Sequence, residues 1–221
     1  MAENTIPDLS RDEYKSNYDL HMEGARLLFL NFDRKAIIHK FSGKGLSCDI
    51  DYMYLNFFGV KHRIDNMGYV EFETEDGFLP ADFNATMSIY DVLCHSSESA
   101  VNSCKWCSIE NLKHTLASGS SRVGSGIFSQ YAGDFDKIGT DSLNSACKTI
   151  GGKHTGIGDV GFSLNIFDFL PVIFQYWEGD EEFCSQIKFL WDENVTDYVH
   201  FETLYYIAGY LLSKIKSAAP S

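Results

Sequence analysis

The chain has 221 residues, enough for one well-filled core or for one domain with a small appendage. A hydrophobic fraction of 44% with 14% aromatic residues excludes an intrinsically disordered chain. The net charge of −13 repels phosphate backbones, and no basic patch interleaved with aromatics offsets it, so nucleic acid is excluded as an expected partner.

In chain order, the spacing of Leu20, Ala25, Leu27, Leu28 and Leu30 predicts a helix over residues 8–32, with Ser10 as N-cap and Glu13 completing a capping box. Asp33 reads as the cap of a second short helix that carries Ala36, Ile37, Ile38 and Phe41 and stops at Gly43. Residues 1–46 are thus a helical lead-in to an α+β domain over 47–221, the whole expected to form one compact unit. Over 47–83, short apolar runs are punctuated by Gly59, by Asp65-Asn66 with Gly68, and by Asp76-Gly77, which predicts a small antiparallel meander.

From Thr86 the period changes, and Met87, Tyr90, Val92, Leu93 and Cys94 suggest a helix, followed by a Ser-rich loop over 96–103 and a short helix over 109–116. The stretch ASGSSRVGSG at 117–126 is linker-like and reads as an ordered loop leading back to the core at Phe128, Tyr131 and Phe135. A helix over 142–150 carries Leu143, Ala146, Cys147 and Ile150 on one side, capped by Thr140 or Asp141 and ended by Gly151-Gly152.

Phe162, Leu164 and Ile166 alternate with Ser163 and Asn165, as in a half-buried strand. The runs LPVIFQYW and IKFLW then form an antiparallel hairpin about the Glu178-Gly179-Asp180 turn. Phe201, Leu204, Ile207, Ala208, Leu211, Leu212 and Ile215 follow helical spacing to the C-terminus. The fold class expected is α+β: a mostly antiparallel sheet packed with helices in a single domain.

Charge is uneven along this order. Between Asp168 and Glu202 nine acids face Lys188 alone, whereas residues 1–50 hold eight acids and seven bases. No apolar run approaches the ~20 residues a membrane helix needs, and no charged segment precedes an apolar one at the N-terminus, so a soluble, cytoplasmic protein without a membrane partner is expected. The six cysteines are then expected to be reduced thiols.

Four groups could carry chemistry. Cys94, His95, Cys104, Cys107 and His114 combine a CxxC with nearby histidines, the donor types that zinc or iron takes, although a single CxxC equally suits ordinary thiols. Glu178, Asp180, Glu181, Glu182, Asp192, Glu193 and Asp197 offer carboxylates to a hard cation, or a solvated hairpin end. Asp159, flanked by glycines and preceded by His154, could act with it in general acid–base catalysis, or could cap a turn. Trp177 and Tyr176, with Phe174, Phe189, Trp191 and Trp106, could line a pocket for a flat ligand, or could be core.

Three motifs carry a resemblance: GxGDxGFxL at 156–164, LPVxFxxWEGDEEF at 170–183 and IKFLWDENxxDY at 187–198. Together they resemble a domain family of unknown function found mainly in anaerobic bacteria and archaea, most closely over 140–215. Fusion of some relatives to four-cysteine iron–sulfur modules implies a redox or one-carbon, corrinoid-linked setting. Two departures stand out: His200-Phe201 replaces a Pro-Thr helix start, leaving the last helix without a side-chain N-cap, and Cys184 stands where a proline is expected. The expected function is a binding accessory protein for a small molecule or cofactor, with a ligand site at Trp177, Tyr176, Glu178, Asp180 and Asp192, in contact with a redox or one-carbon partner protein. An enzyme using Asp159 and His154, and an interaction module, are the alternatives.

Overall fold

Alternating burial along Tyr52–Phe57 (β2), with Met53, Leu55 and Phe57 inward, sets the register of the first sheet. The computed structural model describes residues 16–112 and 126–220. In chain order the elements are α1 (Asn17–Phe29), α2 (Arg34–Lys40), β1 (Ser47–Cys48), β2, β3 (Val60–Asp65), β4 (Val70–Thr74), β5 (Gly77–Pro80) and α3 (Phe83–His95). They continue with β6 (Trp106–Cys107), α4 (Gly126–Ile138), α5 (Thr140–Thr149), β7 (Lys153–His154), β8 (Val160–Phe167), β9 (Leu170–Trp177), β10 (Gln186–Asp192) and α6 (Thr203–Ala218).

The strands form two antiparallel sheets, ordered β1-β2-β3-β4-β5 and β6-β10-β9-β8-β7. The meander expected over 47–83 is the first sheet, and the central hairpin lies in the second. Phe58 and Gly59 turn β2 into β3 with φ of 47° and 72°. Two consecutive left-handed residues match the twist of a hairpin, but an aromatic at the first position is unusual. The Phe58 N–H donates to the Ile166 carbonyl at 2.8 Å, joining the corner of one sheet to a strand of the other.

Between the sheets runs an apolar core to which α6 gives Leu204, Ile207, Ala208, Leu211, Leu212 and Ile215. Tyr210 of the same helix stacks on Phe58 with ring centroids 5.6 Å apart, and α3 and α5 pack beside it. This is an α+β fold. No helix among the described residues is long and apolar enough to cross a membrane.

Several local expectations change. Ser10 and Glu13 lie outside the described residues, and the capping box that starts α1 is Ser16 with Asp19. The leucines that predict this helix do not face the core: Leu20, Leu27 and Leu28 are exposed, while Phe29 is buried and Met22 and Ala25 are half-buried. Gly139, not Thr140 or Asp141, is the N-cap of α5, because the helix already includes both. Only a single 3-10 turn forms over Ile109–Asn111, the rest of the expected short helix and the linker up to 125 lying outside the described residues. Residues from Gly126 form α4 rather than a returning loop. The last helix starts at Thr203, and its N-cap Glu202 makes no side-chain cap, as the His200-Phe201 departure suggests.

Candidate functional site

The β9–β10 connection holds most of the free carboxylates of the acidic stretch. Its first residues are shaped by Asp180, whose carboxylate accepts from the backbone N–H groups of Glu182 and Phe183, both at 2.8 Å. Those two bonds hold the Asp180 carboxyl below its ordinary pKa. Gly179 is required here, since a Cβ would meet the Ser185 nitrogen at 2.7 Å.

Across from this turn stands Asp136, in the last turns of α4. One carboxylate oxygen accepts from the Tyr176 hydroxyl at 2.5 Å and the other from the Ser185 hydroxyl at 2.8 Å. Asp136 thereby ties α4 to both arms of the hairpin. The Tyr176 ring is fully buried, and burial together with the Asp136 carboxylate pushes its hydroxyl well above the ordinary phenol pKa. Asp136, Glu178, Asp180, Glu181, Glu182 and Cys184 line an open cleft of about 420 Å³. A second depression of about 490 Å³ shares Asp136, Cys184 and Ser185 and runs along α4 to Lys188.

Asp136 is the functional candidate that sequence reading missed. Its signal was the spacing of Phe128, Ala132 and Phe135, all buried and four then three residues apart, which marks a helix and places Asp136 at the edge of its buried face.

The expected site residues divide. Glu178 and Asp180 line the cleft. Tyr176 reaches it only through its hydroxyl, and Trp177 packs against Gly158 with the Lys188 ammonium 5.0 Å from its ring centroid, so neither residue lines the cavity. The aromatic set divides: Phe174 is fully buried core, while Trp106, Phe189 and Trp191 line a separate depression of about 530 Å³ together with Phe128, Glu110 and Lys188. Asp192 is not available to a ligand: it is 1% exposed and accepts from the N–H groups of Ser103, Cys104 and Asn194 and from the Ser103 hydroxyl. A buried carboxylate so surrounded is a structural anchor.

Asp159 and His154 are not brought together. The Asp159 carboxylate accepts from the Glu178 N–H at 2.8 Å, and its own N–H donates to the Tyr176 carbonyl, so it closes the entrance of β8 onto the exit of β9. His154 is exposed on the edge strand β7, its ring edge-on to Phe162, and no hydrogen bond or ion pair joins the two. Nor do Cys94, His95, Cys104 and Cys107 form a centre. Among the described residues no three His, Cys, Asp or Glu side chains are grouped to hold a metal ion, and His114 lies outside them. Burial pushes the Cys94 thiol up to about 12, which disfavours the thiolate that zinc or iron needs. His95 instead lies against His200, ring centroids 3.7 Å apart and the planes tilted by 39°, and His200 binds Asp91 at 2.6 Å. No disulfide joins any of the six cysteines.

No curated protein and no solved structure matches the chain. Residues 41–214 match the model of a domain of unknown function, DUF3786. The match begins at the Phe41 that ends α2, ends within α6, and takes in both sheets together with the cleft and its Asp136. The chain belongs to the DUF3786 family.

Proposed function

We propose that the protein is a binding accessory protein whose acidic cleft takes a small organic cation, a polyamine or a ligand carrying ammonium groups. The observation that carries this reading is the fixed Asp136 carboxylate facing Glu178, Glu181 and Glu182 across an open cleft, with no cationic side chain among the described residues of its lining. A single metal ion would need three or more of these carboxylates at one point, and they are not so grouped. Separated carboxylates suit an extended ligand with charges along its length. The resemblance to relatives fused with iron–sulfur modules supports a setting in anaerobic redox or one-carbon metabolism, with such a protein as partner in the cytoplasm.

The enzyme reading has a narrower base, since His154 stands two strands away from the β9 hairpin and Asp159 is engaged by backbone. Titration calorimetry with spermidine tests the binding reading. Binding that weakens at least tenfold in a Glu178→Gln, Glu181→Gln, Glu182→Gln variant, and with added salt, supports it. An absence of heat and of thermal shift with spermidine overturns it.

A further inference from the structure

Helix α1 is apolar on two faces, and the described residues cover only one of them. Phe29, Met22 and Ala25 turn toward α3, where Phe29 stacks on Tyr90 with centroids 5.1 Å apart. On the opposite side Leu20, Leu27 and Leu28 are 56%, 52% and 66% exposed. At 100° per residue these leucines and Gly24 fall within one stripe about a quarter-turn wide. All of α1 and α2 precedes the residues that the family domain matches, so this stripe lies outside the matched domain.

We propose that this stripe is a dimer interface between two copies of the chain, with the α1 helices packed antiparallel about Gly24. The stripe complements itself: across a two-fold axis at Gly24, Leu20 of one copy meets Leu28 of the other, and the reverse. Gly24 is the position of closest approach. It stands in mid-helix, where glycine weakens a helix relative to alanine, and a Cβ there would meet nothing within 4 Å of its own chain. Its lack of a side chain therefore serves no contact with the described residues of the monomer, whereas at a helix crossing it lets two backbones come close.

Charge agrees with the pairing. No charged side chain lies in the stripe; Glu23 on its flank is neutralised by Arg26 at 2.7 Å, and antiparallel helices oppose their dipoles favourably. Leu20, Leu27, Leu28 and Phe32 expose on the order of 500 Å² together, at the upper end of the apolar patches that monomers show. This falls below the ~800 Å² per partner of a standard interface, so the pairing belongs to the small, concentration-dependent class.

Sedimentation equilibrium of the full chain over a micromolar concentration range is the test. The expected mass is twice the 24.9 kDa of one chain, returning to one chain in Leu20→Glu with Leu28→Glu. Gly24→Gln separates folding from association: it is expected to raise helicity and the melting temperature at dilution while abolishing the dimer. A wild type of single-chain mass throughout, as when another protein or the first fifteen residues of this chain cover the stripe, overturns the proposal. So does a dimer that survives both substitutions.

Discussion

The carboxylate of Asp192, at the end of β10, accepts the backbone N–H of Cys104 at 2.8 Å across 88 residues of sequence. Cys104 has a φ of 60°, so this bond and the neighbouring bonds to Ser103 hold a left-handed residue in place. Replacing the buried Asp192 with Ala leaves several part-buried donors unmatched and is expected to lower stability by roughly 2 kcal/mol, read as a shift of the urea midpoint. Asp180→Ala, at an exposed turn, is expected to move the midpoint far less, consistent with a structural Asp192 and a peripheral Asp180.

Two glycines are expected to respond to alanine with opposite sign. At Gly161 a Cβ would stand 2.0 Å from the Ile157 carbonyl oxygen, so Gly161→Ala must displace the loop that carries Asp159 and should destabilise by about 3 kcal/mol. At Gly24, with open space around it, alanine should stabilise by about 1 kcal/mol. Thermal unfolding of both variants in dilute solution checks the pair.

Removing the Tyr176 hydroxyl with Phe leaves Asp136 one donor short. The expected loss is about 1 to 2 kcal/mol in denaturant unfolding, with an unchanged spermidine affinity if the Ser185 bond alone keeps Asp136 aimed at the cleft. Asp136→Asn, which removes the charge itself, is expected to weaken spermidine at least several-fold in calorimetry.

Stability should fall on both sides of neutrality. Burial lowers the pKa of His62, so the unfolded chain takes up its proton first. The contribution from neutral His62 is present above about pH 6.5 and is lost as pH falls through the lower folded value. On the alkaline side burial pushes the Cys94 and Cys147 thiols and the Tyr198 and Tyr210 hydroxyls up to about 12 and raises Tyr90, Tyr176 and Tyr205 as well. There the unfolded chain releases protons first, so stability is full below about pH 8.5 and declines above it, by roughly 1.4 kcal/mol per pH unit for each group in its window. Lys40 and Lys214, whose pKa values burial lowers, oppose this decline but are outnumbered. Melting temperatures from pH 5 to 10.5, a range set by these ordinary side-chain values, should trace a plateau with two falling shoulders.

The strands of the second sheet were legible because they are fully apolar runs bounded by turn residues: LPVIFQYW is β9 to the residue, and IKFLW lacks only the two ends of β10. The glycines of the 156–164 motif were also readable as backbone devices, since Gly156 and Gly158 have φ of 74° and 87° and Gly161 is closed in by Ile157. What the sequence could not convey was partnership. Asp159 and Asp192 resemble site residues in composition, yet each is engaged by backbone N–H groups that come from distant segments. Asp136 meets Tyr176 across 40 residues, a distance no local pattern spans. The leucines of α1 misled for a related reason, because helical spacing reports a face without saying what covers it.

The hydrogen bond from Phe58 to Ile166 joins strands 108 residues apart, and Phe58 reaches it only by adopting a left-handed turn that its bulk disfavours. Contacts of such long range form late, because most of the chain must already be ordered to close the loop between them. The strands of the first sheet pair only with their neighbours in sequence and can do so as soon as they are made. Its corner at Phe58 is the part that stays unsettled until β8 has been synthesised to dock against it.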